Sequence, residues 1–416
     1  MTVKFNNSPT PWKTDLWYTS PWNFSDEARK GFDFSKKIQF HDVSLRDGEQ
    51  QSGLIFTKDQ KVALAEKLAE VGIHRIEAGM PAVSDQDEGA IKEIVRRNLG
   101  PEIFAFARCM KDDVKRALDC GVKSIVMEVP TSDHLLKYAY RWEVQKAIDV
   151  SIESTLYARD NGMYVSFFTI DGTRTGIDEY LDLIELIAEN GHMDELTVVD
   201  TMGGLMPQAV PFLIKKVKER ISDKPVGIHF HDDFGLGAAN TLAGLAAGAD
   251  IAHTTISGIG ERAGNAPYED VALSLLTMYG VDTGLKYNKF YPLSRYLQSI
   301  SGLKVRQNRG IVGENVSDIE SGIVAGWFKN ANDEAPLELS PYLYSLTGHP
   351  DAKVTIGKMS GIPTVDIYLD KLGLDVKDAN VKLEIVNAIK AKAFEKSALL
   401  TEQEFEEIAR NIIDKA

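Results

Sequence analysis

From about residue 37 the chain alternates short runs of apolar and β-branched residues with longer stretches whose apolar positions recur at helical spacing. Strands of a parallel sheet, buried on both faces, read as near-continuous apolar runs, whereas a helix packed on one side repeats every three to four residues. Eight strand-like runs stand out, at 38–43, 74–78, 103–108, 124–129, 164–169, 196–200, 226–231 and 252–257. Between them lie amphipathic stretches such as KDQKVALAEKLAEVG, KDDVKRALDCG and IDEYLDLIELIAENG, several ending on a glycine suited to a helix C-terminus. Eight strand–helix repeats over this length predict an α/β fold of the TIM (β/α)8 barrel type. A doubly wound open sheet competes with it, but the turn after the first run is LRDGEQ, not the glycine-rich phosphate loop such sheets carry there. Beyond about residue 280 the rhythm lapses. The expected organisation is an N-terminal arm at 1–34, a barrel catalytic domain at 35–280 and a smaller, mainly helical accessory region at 281–416. The arm holds Trp12, Trp17 and Trp22 and is expected to pack on the barrel or on a second subunit, because bare tryptophans favour aggregation.

Composition narrows the partners. The chain has 416 residues, 44% hydrophobic and 26% charged, as in ordinary globular proteins. Its 47 basic against 61 acidic residues give a formal net charge of −14, and no basic run is present, so neither nucleic acid nor an anionic membrane is an expected partner. Cys109 and Cys120 are too few for a disulfide framework or a cysteine-rich zinc site and point to a reducing compartment. With no basic-then-apolar leader and no apolar stretch of membrane-spanning length, the expectation is a cytoplasmic protein acting on small molecules.

The chemistry gathers at strand ends, where TIM barrels carry their active sites. In GIHFHDDFGLGAAN the alternation of a strand puts His229 and His231 on one face. Arg46 and Asp47 follow the first run, Glu77 ends the second, Asp200 and Thr201 end the sixth, and GIGERAGN follows the eighth. Two imidazoles and a carboxylate make a donor set for a divalent cation. A core histidine pair and a loop ion pair are the plainer alternatives, yet packing alone does not require polar residues at so many strand ends on one rim.

Six ordered motifs carry a resemblance: LRDGEQ, HRIEAGMPAVSDQD, VPTSDHLLKY, VVDTMGG, HFHDDFGLGAAN and GIGERAGNAPYEDV. Together with GKMSG at Gly357, which is similar to a GKHSG element, they resemble the DRE-TIM metallolyase superfamily, nearest to the isopropylmalate, homocitrate and citramalate synthases. The resemblance implies a metal-dependent, Claisen-type acyltransferase of amino-acid biosynthesis that joins an acyl-CoA, acetyl-CoA first among them, to an α-keto acid and yields a hydroxy diacid. It implies that Asp47, His229 and His231 bind the metal (Mg, Mn or Zn), with Asn265 as a weaker fourth ligand. Arg46 would stabilise the enolate oxygen, Thr201 the substrate carboxylate, and Gln50 and His134 would be further substrate contacts. A homodimer is implied too, the accessory region of one chain reaching toward the other's barrel mouth.

Three departures from those synthases matter. Ile170, in FTIDGTR, stands where they carry a glutamate; Ile319 and Val324, in SDIESGIV, stand where they carry histidines, the first of which is associated with activating the acyl-CoA methyl group. His134 lies one place away from its usual spacing. The general base is thereby open among Asp318, Glu320, Glu128 and Glu77, with Glu77 paired to Arg46 as the catalytic candidates. The alternative reading is a lyase or aldolase of the same superfamily, like hydroxymethylglutaryl-CoA lyase, but the loop after strand eight lacks the cysteine of those lyases. A non-catalytic metabolite binder is the third reading.

Overall fold

The computed structural model describes residues 2–416. Eight parallel strands close into a barrel: β1 Gln39–Asp42, β2 Arg75–Glu77, β3 Glu102–Arg108, β4 Ser124–Pro130, β5 Tyr164–Ile170, β6 Glu195–Asp200, β7 Val226–Phe230 and β8 Ile251–Thr254. Neighbours in sequence are neighbours in the sheet, and β8 returns to pair with β1, His41 lying beside His253. Helices follow the strands in turn: α1 Lys58–Val71, α2 Asp85–Arg97, α3 Lys111–Asp119, α4 Val144–Asp160, α5 Ile177–Asn190, α6 Val210–Arg220, α7 Gly237–Ala246 and α8 Tyr268–Ser274. This is the TIM barrel expected from the sequence. The eighth strand is shorter than the run 252–257 suggested, because the chain turns at residues 256–258, where Ser257 takes φ 57°.

Local chemistry explains the boundaries. Thr57 caps α1 in a reciprocal box with Gln60, and the helix ends at Gly72 with φ 91°, a conformation that costs glycine little. Ser84 accepts from the Asp87 amide at the start of α2, whose first turn is acidic and last turn basic, as the helix dipole favours. Inside the barrel, Phe104, Phe106, Val126, Phe168 and Val199 form one buried cluster.

Contacts divide the described chain into two units, one of residues up to 11 together with 21–305, the other of 12–20 and 306–416. Residues 281–305, expected in the accessory region, therefore belong with the barrel. Val281–Asp282 pairs antiparallel with Lys4–Phe5, and α9 Phe290–Ser301 buries Phe290, Leu293 and Leu297. The arm is divided in the same way: Leu16, Trp17 and Tyr18 bond to 341–343, whereas Arg29 donates to the Tyr279 carbonyl. Trp17 is buried, whereas Trp22 is 81% exposed in the single chain.

The second unit sets α10 Gly322–Ala331, α11 Ile362–Leu372, α12 Ala379–Lys396 and α13 Glu402–Ile413 around a core that includes Val354, Val365, Leu369, Ile385, Ile389 and Phe405. Among the described residues no helix is long and apolar enough to cross a membrane.

Candidate metal centre and cavity

Asp47 enters from the turn after β1, while His229 lies on β7 and His231 directly beyond it, so the strands on either side of β8 deliver all three side chains. Asp47 Oδ2 is 3.6 Å from His229 Nε2 and 3.9 Å from His231 Nε2, and the two nitrogens are 3.3 Å apart. All three residues are buried. Nδ1 of His231 is 3.1 Å from the Gly264 carbonyl. A carbonyl only accepts, so Nδ1 carries the proton and Nε2 presents a lone pair to the cluster. Burial holds both imidazoles below their ordinary pKa, His229 well below, and keeps them neutral. Burial works to raise Asp47, but the Arg46 guanidinium, the two imidazoles and the Asn265 hydrogen bond together outweigh it and hold the carboxyl well below the usual range.

A lone pair facing a carboxylate with no proton between them is unfavourable in a buried place, and a divalent cation relieves it. Asn265 adds a second indication. Its Nδ2 donates to Asp47 Oδ1 at 2.8 Å and to the Ile259 carbonyl at 3.2 Å, which leaves Oδ1 buried without a partner. These residues fit a divalent metal, and their mix of nitrogen and oxygen does not choose among Mg²⁺, Mn²⁺ and Zn²⁺. Within GERAGN, positive φ is taken by Gly260 (149°), Arg262 (56°) and Gly264 (88°), and not by Asn265. Gly260 and Gly264 permit the close approach: a Cβ would lie 2.2 Å from Asn265 Nδ2 at the first and 1.9 Å from the Gly258 carbonyl oxygen at the second.

Arg46 is held from three sides. Nε donates to Glu77, Nη1 donates to Asp47 Oδ2 at 2.8 Å, and the guanidinium lies 3.9 Å from the Phe106 ring centre. Nη2 is buried with no partner. Glu77 is wholly buried, with its other oxygen 3.4 Å from His41 Nε2, and it does not line the cavity. Burial pushes its carboxyl up and Arg46 draws it part way back. Its place is beneath Arg46 as a holder, not on the wall as an acid or base.

The cavity in front of this cluster has a volume of about 690 Å³. Gln50 and Thr201 line it, and the Thr201 hydroxyl accepts from the Asp171 amide at 2.8 Å. His134 does not: its side chain is exposed, with Nε2 2.9 Å from Asp171 Oδ2. Asp200 organises the loop after β6 by accepting from Thr173 Oγ1, Gly204 N and Leu205 N. In the second unit, Asp318 faces Lys353 at 3.5 Å, Glu320 accepts from the Met359 amide, and Ile319 packs against the core. Lys61 was not singled out from the sequence, yet it lines the cavity. Its ammonium is bound by Asp87, Glu49 at 2.6 Å and the Leu45 carbonyl at 3.2 Å. A signal existed, since Lys61 shares the buried face of α1 with Val62, Leu64 and Ala65.

Fold and site define a TIM-barrel protein with a candidate metal centre at the carboxyl ends of its strands. The HMGL-like family model matches residues 37–297, and the chain belongs to that family, within the DRE-TIM metallolyase superfamily. It is 36% identical over 396 residues to homocitrate synthase AksA of Methanothermobacter thermautotrophicus, covering 95% of this chain and 98% of that one. It is 37% identical to the 2-isopropylmalate synthase of Methanocaldococcus jannaschii, over 94% of this chain and 74% of the other. Among solved structures, hydroxymethylglutaryl-CoA lyase from Pseudomonas aeruginosa shares the fold, with a TM-score of 0.59 and 22% identity over 65% of this chain and 95% of that chain.

Proposed function

We propose that the protein is an acyltransferase that condenses an acyl-CoA, acetyl-CoA first among candidates, with a 2-oxo acid to give a hydroxy diacid and free coenzyme A. The observation that carries this reading is the unpartnered Arg46 Nη2, buried beside the Asp47, His229 and His231 cluster in an open cavity. A fixed cationic donor with no acceptor of its own is what an oxygen gaining negative charge requires. The synthase names of the relatives that align along almost the whole chain support the same direction.

Asp47, His229, His231 and the Asn265 Oδ1 would hold the metal, which when bound supplies Lewis-acid polarisation of the 2-oxo carbonyl. Thr201 and Gln50 orient the substrate carboxylate. A base takes a proton from the acyl carbon next to the thioester, that carbon bonds to the carbonyl carbon, and Arg46 Nη2 stabilises the oxygen as charge builds on it. Protonation of that oxygen and hydrolysis of the thioester complete the reaction, with the thiol leaving as coenzyme A. The protein is taken to work in the cytoplasm, in keeping with its free Cys109 and Cys120, and as a homodimer, which light scattering would check.

The test is acetyl-CoA with a panel of 2-oxo acids, following free thiol before and after chelation. Both cysteines are buried, and burial pushes Cys109 up to about 12 and Cys120 up to about 11, so the folded protein adds little thiol signal. Chelator-sensitive thiol release that depends on a 2-oxo acid is expected. Silence across the panel, with 2-oxo acid released from a hydroxyacyl-CoA or hydroxy acid instead, would establish the lyase direction.

A further inference from the structure

Of the cavity-lining carboxyls among the described residues, Glu49 and Asp87 pair with Lys61, Glu261 with Arg262 and Asp47 with Arg46, which leaves Glu128 alone without a partner. It sits on β4, in register with Phe168 on β5, and the wall around it is Phe106, Phe168, Ile170 and Val199. No described residue makes a hydrogen bond or ion pair with its carboxyl. Burial pushes that carboxyl up to about 7, the behaviour of an acid short of donors. The carboxyl is half-buried and opens onto the cavity, where a ligand that brings a donor can pair with it.

Topology says which part of a ligand would do so. The metal cluster straddles β8, and in a closed ring of eight strands β4 lies four places from β8 in either direction. A 2-oxo acid with its keto-acid end at Asp47, His229 and His231 therefore sends its side chain across the barrel mouth toward β4. The cavity's charges limit what that side chain can be. Its only cationic side chains among the described residues are Arg46 and Lys61. Arg46 is engaged by Glu77 and Asp47, and the three donors of Lys61 are matched by Glu49, Asp87 and the Leu45 carbonyl. The one donor left, Arg46 Nη2, is assigned to the reacting oxygen beside the metal cluster, so no cation serves a second carboxylate at the far wall, and Glu128 would repel one.

We propose that Glu128 selects the substrate, and that the preferred 2-oxo acid carries a hydrogen-bond donor, a hydroxyl or an amine, on its side chain in place of a second carboxylate. This rests on the reading above that the cavity binds a 2-oxo acid at the metal cluster. Glu128 takes no part in bond making; it accepts a hydrogen bond from the substrate side chain and so sets which acid is held.

The experiment uses the full-length, metal-loaded protein and three probes: 2-oxobutanoate, 4-hydroxy-2-oxobutanoate and 2-oxoglutarate. Equilibrium binding by calorimetry is the primary readout, with thiol release from acetyl-CoA beside it. A hydrogen bond to a charged group predicts that the hydroxylated probe binds about ten- to a hundredfold more tightly than 2-oxobutanoate, with 2-oxoglutarate weakest. Glu128→Leu should erase that preference, so that the hydroxylated probe binds no more tightly than 2-oxobutanoate. Glu128→Gln, of the same shape and with an amide oxygen that still accepts, should keep part of it and guards against a folding defect. Tight binding of 2-oxoglutarate by the unaltered protein, or a hydroxyl preference that survives Glu128→Leu, overturns the inference while the 2-oxo acid reading stands. Binding of none of the three to folded protein overturns both.

Discussion

Replacing Arg46 by lysine keeps the positive charge and removes the fork, which separates the two jobs the guanidinium performs. Arg46 reaches Glu77 through Nε, Asp47 through Nη1 at 2.8 Å and the cavity through Nη2, while its plane lies over Phe106 at 3.9 Å. A lysine ammonium is a single point on a flexible stem and cannot occupy all three directions. Drawn to Glu77 and Asp47, it leaves the position of Nη2 empty. Loss of one preorganised donor at a developing oxyanion costs about 2.7–4 kcal/mol, or about 10²–10³ in kcat. Because Glu77 keeps a cationic neighbour, the stability loss should stay within about 1–2 kcal/mol. Arg46→Met is the contrast, since it strands Glu77 as a buried acid and should cost about 3–5 kcal/mol. The assay is single-turnover and steady-state thiol release at saturating 2-oxo acid, with urea unfolding of each variant alongside. The expected outcome for Arg46→Lys is a fall of about 10²–10³ in kcat with KM for the 2-oxo acid changed only a few-fold, as for an interaction made mainly in the transition state. A kcat within tenfold of the parent would refute the assignment of Nη2 to the reacting oxygen.

Asp47→Asn should abolish stoichiometric divalent metal binding while the chain stays folded, read by metal analysis of dialysed protein; one retained equivalent would move the centre elsewhere. Gly264→Ala, at φ 88° with its new Cβ 1.9 Å from the Gly258 carbonyl oxygen, should destabilise by about 1–3 kcal/mol and weaken metal binding through Asn265, and an unchanged metal affinity contradicts the packing described here. Asp42 is wholly buried, and burial lifts its carboxyl to about 7 against the hydrogen bonds from Ser44. Its folded value lies above its unfolded one, so the native state binds the extra proton, and the stability this contributes is present at acid pH and lost as pH rises toward 7. Relative to Asp42→Asn, which does not titrate, the parent should lose up to about 1.4 kcal/mol per pH unit between pH 4 and 7 in urea unfolding. A difference that does not vary with pH would show that the acid is ionised throughout.

Much of this arrangement could be read from the chain because the barrel's logic is periodic. Strands buried on both faces leave apolar runs, and residues at their carboxyl ends share a rim whatever their separation in sequence. That is why the sequence alone places Asp47 with the pair His229 and His231, 182 residues apart at the nearer histidine. Pairing between side chains has no such period. Nothing in the local sequence says that Glu77 would be spent on Arg46, that His134 would turn to Asp171, or that Lys61 would be closed in by Glu49 and Asp87. Glu128 could be named as a candidate from its strand-end position, but its isolation depends on what β3 and β5 place beside it. The domain boundary slipped for a related reason. Residues 281–305 lack the strand–helix rhythm, yet the two-residue pairing of Lys4–Phe5 with Val281–Asp282 and the burial of Phe290 tie them to the barrel.

The division of the arm bears on how the protein can be dissected. Residues 12–20 belong with 306–416, although the chain on both sides of them belongs with the barrel. A fragment cut at 305 would keep Trp17 and remove Tyr342, its backbone partner, leaving a large indole face to seek other copies of itself. Excising 12–20 along with the tail, and joining 11 to 21 by a short flexible linker, is the design that gives the barrel its best chance of standing alone.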